Sequence, residues 1–217
     1  MRTIFFGDVH GDIYSLKKLF DTTSADEYIC VGDLVGYTPH GEECLHLAVE
    51  KCGLKNIIAG NHEEFFLSGK AASSCSNIVH ETFNLCYNRF NSFDILSKLN
   101  KLIKLEVASK KIVVSHTFGD RHIYPDSKIN FDIIGDINIF GHTHLQFVKF
   151  FKEKSLICTG SLGQNKKQRN IAQYIVMDSS SNNLSIEYCS FLSLKNNLIN
   201  DMRQLNYPLH ILEYYSK

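Results

Sequence analysis

Short apolar runs recur along this chain, and several of them end on a glycine followed by a polar side chain. Residues 3–6, 28–31 and 56–59 read as strands. Between them, residues 14–20 set Leu16, Leu19 and Phe20 on one helical face, and residues 42–52 do the same with Cys44, Leu45, Ala48 and Val49. Alternation of this kind predicts βαβ units. Residues 62–99 predict a helical region. Residues 102–107 and 111–114 then predict a hairpin turning at 108–110, and 137–140, 147–151, 156–158, 171–177 and 184–188 predict further strands. The Ser/Asn cluster at 179–183 is a turn signal between the last two. The tail, 194–215, has helical spacing broken at Pro208. Many strands following βα units predict an α/β fold in which two sheets pack face to face with helices outside, as one domain over 1–217.

The polar residues at the strand ends carry the chemistry. Residues 4–6 run into Gly7-Asp8-Val9-His10-Gly11, and residues 29–31 into Gly32-Asp33-Leu34-Val35-Gly36. Residues 57–59 lead to Gly60-Asn61-His62-Glu63, residues 112–114 to Ser115-His116, and residues 137–140 to Gly141-His142-Thr143-His144. In α/β sheets, ligands bind beyond the carboxyl ends of strands, where rigid backbones from distant parts of the chain converge. Asp8, His10, Asp33, Asn61, His116, His142 and His144 are therefore the candidate metal ligands. Seven donors without a thiolate exceed one tetrahedral zinc and suit two ions sharing a bridging carboxylate. Imidazole, carboxylate and amide oxygen together accept manganese, iron, zinc, nickel or cobalt, with manganese the first expectation. Arg121 and His122 follow a ligand-bearing strand and are candidates to touch substrate, while Asp12 reads as the N-cap of the first helix.

Composition narrows the partners. The chain has 217 residues, 44% hydrophobic, with 23 basic and 23 acidic side chains. Nothing in that balance calls for long nucleic acid or an anionic membrane. The most basic run, Lys166-Lys167-Gln168-Arg169, reads as a solvated turn. Seven scattered cysteines, with no close pair, read as reduced thiols of a cytoplasmic protein. The apolar run after Met1 is too short for a signal peptide or a membrane span.

Taken as a set, the five strand-end motifs resemble those of the calcineurin-like metallophosphoesterases, over nearly the whole chain. Residues 34–39 (Leu-Val-Gly-Tyr-Thr-Pro) and 160–164 (Gly-Ser-Leu-Gly-Gln) look like the small, single-domain prokaryotic branch. The resemblance implies a four-layer α-β-β-α sandwich of two mixed sheets. It also implies one metal on Asp8, His10, Asp33 and His144 and a second on Asp33, Asn61, His116 and His142, with Asp33 bridging. His62 matches the family histidine that faces the phosphate and leaving group without binding metal. The implied activity is hydrolysis of a small phosphoester or nucleotide by a hydroxide bridging the two ions, as a phosphodiesterase or phosphatase. The chain departs from the family pattern at 117–122 and at Cys158-Thr159, and neither departure removes a ligand. Two rival readings are a metal-free interaction scaffold on the same fold and a nuclease acting on short nucleic acid.

Overall fold

The computed structural model describes residues 1–119, 121–181 and 183–216. Its strands are β1 (Arg2–Phe6), β2 (Glu27–Cys30), β3 (Ile103–Val107), β4 (Lys110–Val114), β5 (Ile137–Phe140), β6 (Gln146–Phe151), β7 (Lys154–Thr159), β8 (Ile171–Ser179) and β9 (Leu184–Leu192). Its helices are α1 (Ile13–Thr22), α2 (Gly41–Cys52), α3 (Asn61–Ser68), α4 (Asn77–Tyr87), α5 (Phe93–Leu96), α6 (Lys195–Gln204) and α7 (Leu209–Ser216). The strands form two mixed sheets, in the orders β2-β1-β8-β9 and β3-β4-β5-β7-β6.

Strand alternation sorts the apolar residues into layers. Phe5, Ile29, Val31, Ile175 and Met177 of the four-stranded sheet meet Ile112, Val114, Ile137, Ile139 and Ile157 of the five-stranded sheet. The intervening residues Ile4, Phe6, Cys30, Ala172 and Val176 point the other way, into a layer built by α1, α2 and the aromatic side chains Phe66, Phe83 and Phe90. On the far side of the five-stranded sheet, Phe140, Leu156 and Cys158 are covered by Phe118, Ile123, Ile129, Phe131 and Ile133. The segment carrying that cover, 117–136, holds no helix among its described residues. Pro125 and the density of Asp, Asn, Ser and Gly account for its irregular backbone. Helices α6 and α7 pack on each other and against Tyr14 and Tyr37, which brings the tail beside the loop after β2.

One expectation is corrected. Residues 56–59 do not form a strand: Leu54–Asn56 is a turn of 3₁₀ helix, and only the single bridges Cys30↔Ile57 and Ile58↔Asn100 follow. The stretch lies between β2 and residue 100, where Ile58 N–H donates to Cys30 and Ala59 N–H to Asn100, and the pairing on each side stops at a single bridge. The helical region expected over 62–99 is present as three helices, with Gly69 (φ 71°) in the left-handed conformation that closes α3. Asn182 of the expected 179–183 turn and Asp120 of the 117–122 loop lie outside the described residues. Among the described residues, no helix is long and apolar enough to cross a membrane. The seven cysteines are all unpaired, five of them buried.

Candidate functional site

β1, β2, β4 and β5 all point their carboxyl ends at one place, and the turns they enter are unusually strained. Five of the seven candidate ligands, Asp8, His10, Asp33, His142 and His144, have φ between 50° and 69°. A non-glycine side chain there costs roughly 1 kcal/mol or more, and such strain gathers at functional sites. Backbone hydrogen bonds hold the turns: Asp8 N–H donates to Gly32, and both Val9 and His10 donate to Asp33. Asn61 arrives differently, as the first residue of α3.

These turns gather two groups of donor atoms that share Asp33: Asp8, His10, Asp33 and His144 in one, and Asp33, His116 and His142 in the other, each within 4.8 Å. In the first, Nε2 of His144 is 3.3 Å from Asp8 Oδ1 and 3.0 Å from His10 Nε2. In the second, Nε2 of His116 is 3.3 Å from Asp33 Oδ2. Asn61 Oδ1 joins the second group, 3.1 Å from His116 Nε2 and 2.8 Å from His142 Nδ1. All seven candidate ligands are therefore brought together.

The donor set fits divalent cations. His116 Nδ1 donates to the carbonyl of Val31 (2.8 Å), His144 Nδ1 to that of Gln164 (2.9 Å), and His10 Nδ1 to that of Val35 (3.3 Å). A ring whose Nδ1 carries the proton presents a bare lone pair at Nε2. The Nε2 atoms of His10 and His144 then face one another across 3.0 Å, an arrangement that repels unless a cation lies between their lone pairs. Asp8 and Asp33 are buried, and among the described residues no lysine or arginine pairs with either. Two buried carboxylates without a permanent positive partner call for positive charge from elsewhere.

The titration behaviour follows from the same crowding. Burial drives the His10 pKa well below its ordinary value, with His62 and His144 adding to the effect. Burial, then the charge of His116, lowers His142 to about 4. Burial also works to lower His116, but Asp33 overrides it and raises the ring to about 10. Burial opposes ionisation of Asp33, yet His116, His62 and His10 hold its pKa well below the usual carboxylate range. A cation is thus favoured beside Asp33, whether a proton or a metal.

His62 stands apart from both donor groups. Its backbone N–H, at the start of α3, donates to Asp33 Oδ1 (2.9 Å). Its ring stacks on Tyr37 at 4.8 Å and 29°, and meets His10 at 4.7 Å and Phe65 at 5.3 Å. A Cβ added at Gly36 (φ 87°) would overlap His62 Nδ1, so only glycine leaves room for the ring. Burial lowers the His62 pKa, against an opposing pull from Asp33. The two loop candidates diverge. His122 lies against His142, with ring centroids 4.0 Å apart. Arg121 is not brought to the cluster: its guanidinium lies 4.7 Å over Phe131 and lines a cavity of about 320 Å³ with Ser115, Thr117 and Phe118.

Sequence reasoning missed two residues. Glu63 is fully buried, and its carboxylate accepts hydrogen bonds from the backbone N–H groups of Asp33 (2.8 Å), Leu34 (2.7 Å), Val35 (3.1 Å) and Gly60 (2.7 Å). Burial and then the charge of Asp33 push its pKa up to about 7, while the Val35 and Gly60 N–H groups pull it down. A Glu at the third position of a helix opening on glycine is a capping signal that could have found it. Tyr37, with φ 60°, is the second; no local pattern marks its ring as the platform for His62. The expected N-cap is present: Asp12 Oδ1 accepts from Ser15 N–H at 3.0 Å.

Comparison with known proteins gives the fold and the family. An uncharacterised protein of Methanocaldococcus jannaschii is 25% identical over 198 residues, which cover 79% of this chain and 80% of that one. The crystal structure of a metallophosphoesterase from Sphaerobacter thermophilus matches all of this chain and 98% of its own, with a TM-score of 0.76 at 17% identity. A hypothetical protein of Pyrococcus horikoshii matches 99% of this chain and 97% of its own, with a TM-score of 0.80 at 12% identity. At such identities these structures speak for the fold alone. Residues 1–146 match the family model described as calcineurin-like phosphoesterase, and with two thirds of its length inside that match the chain belongs to the calcineurin-like phosphoesterase family.

Proposed function

We propose that this protein is a dinuclear metal-dependent phosphoesterase acting on a small phosphoester or nucleotide. The observation that carries the proposal is the pair of donor groups meeting at Asp33. Asp8, His10, Asp33 and His144 would hold one divalent transition-metal ion, and Asp33, Asn61, His116 and His142 the other. Bound there, such ions supply Lewis acidity that neutralises phosphoryl charge and makes water nucleophilic near neutral pH.

The chain's own residues supply the rest. The carbonyls of Val31, Val35 and Gln164 hold His116, His10 and His144 with Nε2 turned inward, which fixes ligand direction before any cation arrives. Glu63 ties the Asp33 turn to the Gly60 turn, so the shared carboxylate and Asn61 keep a constant separation. His62, held by Tyr37 and Gly36, is the group to give a proton to the leaving oxygen or to oppose a phosphate oxygen. His122, whose ring lies tilted against that of His142, is the loop residue best placed to meet substrate.

Hydrolysis of bis(p-nitrophenyl) phosphate by metal-stripped and manganese-reloaded protein tests the proposal, with metal content measured on the same samples. Reloading should restore turnover as the second equivalent per chain binds. Two bound equivalents without turnover on any phosphomonoester, phosphodiester or nucleotide would favour the scaffold reading, and full turnover in verified metal-free protein would refute the chemistry.

A further inference from the structure

The chain carries no net formal charge, yet one cavity is lined by cations and amides with no acid among them. It measures about 740 Å³ and lies between α6, the end of α7 and the loop after Gly163. Arg169, Lys195 and Arg203 line it together with Asn170, Asn196 and Asn200. None of these is a candidate metal ligand, and His62 is not among them.

The lining has the features of a built site. Asn196, Asn200 and Arg203 recur at the i, i+4, i+7 spacing that puts them in one stripe along α6. Arg203 donates to Asn200 Oδ1 at 2.9 Å, and Arg169 donates to the carbonyl of Tyr214 while lying 4.1 Å over its ring. Among the described residues neither guanidinium meets a carboxylate. Lys195 is only 8% exposed; it donates to the carbonyl of Gly163 and lies 3.6 Å from Asp12. One carboxylate against three cations leaves a local surplus, and partial burial strengthens its pull on an anion. Arginine forks match phosphate oxygens, while side-chain amides both donate and accept, as sugar hydroxyls and base edges require. A volume of 740 Å³ admits a nucleotide-sized molecule.

We infer that this cavity is a second binding site, separate from the metal centre, for a phosphate-bearing small molecule of nucleotide size. The basic run 166–169 then has a use beyond a solvated turn, since Arg169 closes one wall.

Calorimetric titration of the full chain, stripped of metal, with AMP and with inorganic phosphate tests the inference. AMP should bind the parent protein, bind Arg203→Gln at least 10-fold more weakly, and bind His62→Gln as it binds the parent. Asn200→Asp, which adds a carboxylate to the same wall, should weaken AMP to a similar degree. Both positions are exposed on α6, and both variants should keep the parent's turnover of bis(p-nitrophenyl) phosphate. Equal affinities for phosphate and AMP assign the site to the phosphoryl group alone; tighter AMP extends it to the nucleoside. The inference is overturned if neither probe binds at millimolar concentration, or if binding survives Arg203→Gln but is lost in His62→Gln.

Discussion

The ring of His62 touches Tyr37, His10 and Phe65 and belongs to neither donor group, so its contribution can be separated from metal binding. His62→Gln should leave metal content near that of the parent while slowing turnover by roughly 10²–10⁴-fold, as loss of a general acid or base does. The slowing should be greater for an alkyl ester than for a nitrophenyl ester, whose leaving group departs without a proton. Equal slowing for both would assign the ring to charge neutralisation or orientation instead. Gly36→Ala tests the support around the ring. The added methyl would overlap Nδ1 at a positive φ, so turnover should fall at least 10-fold while metal content is retained. Loss of metal together with turnover in that variant would show that the whole Asp33 turn had shifted. At this scale the candidate ligands were legible, because Asp8, Asp33 and His142 come directly after a strand-end glycine, His10, His116 and His144 lie in strand-end turns, and Asn61 follows Gly60. Tyr37 and Glu63 were not, because their roles rest on contacts with residues 25 or more positions away and on a helix cap whose other half is backbone.

Between residue and molecule, Glu63 is the joint that fixes the turn after β2 to the start of α3. Its carboxylate takes four backbone N–H groups that would otherwise be buried without acceptors. Glu63→Gln keeps the shape but sets an NH₂ against those donors. A hydrogen bond to a charged group is worth about 1.5–3 kcal/mol, so loss of two should destabilise the metal-free protein by roughly 3 kcal/mol or more in urea unfolding. Metal retention should weaken in the same variant, because Asp33 and Asn61 lose their common brace. Stability within about 0.5 kcal/mol of the parent would mean that the carboxylate is dispensable. The elements themselves were read well where periodicity is strong, as in the tail, where Pro208 divides α6 from α7. They were read less well at 56–59, where an apolar run is buried by neighbours without a ladder. The helical character of 62–99 was legible, while its division after Gly69 and the Ser/Asn-rich stretch was not. The cover over 117–136 was illegible as an element, since it owes its burial to the face of the sheet beneath it.

Across the whole molecule, the candidate ligands come from both sheets. Asp8, His10 and Asp33 follow β1 and β2 of the four-stranded sheet, whereas His116, His142 and His144 follow β4 and β5 of the five-stranded one. Cations held by both groups would therefore cross-link the rims of the sandwich, and that link would be lost when the sheets part on unfolding. A ligand that binds only the folded state at 100 times its Kd stabilises by about 2.7 kcal/mol. For a domain of this size 1 kcal/mol moves Tm by roughly 2–4 °C, so manganese should raise Tm by roughly 5–11 °C over the chelated protein. Two variants separate the cross-link from the packing beneath it. Ile139→Ala removes a fully buried side chain between the sheets and should lower the chelated protein's stability by roughly 2–5 kcal/mol, while leaving the manganese increment nearly intact. Asp33→Asn should do the reverse: the shared carboxylate serves both groups, so one substitution should remove most of the increment. An increment unchanged in Asp33→Asn would mean that the stabilising cation binds away from these strand ends, and the assignment of Asp33 as the shared ligand would fall with it.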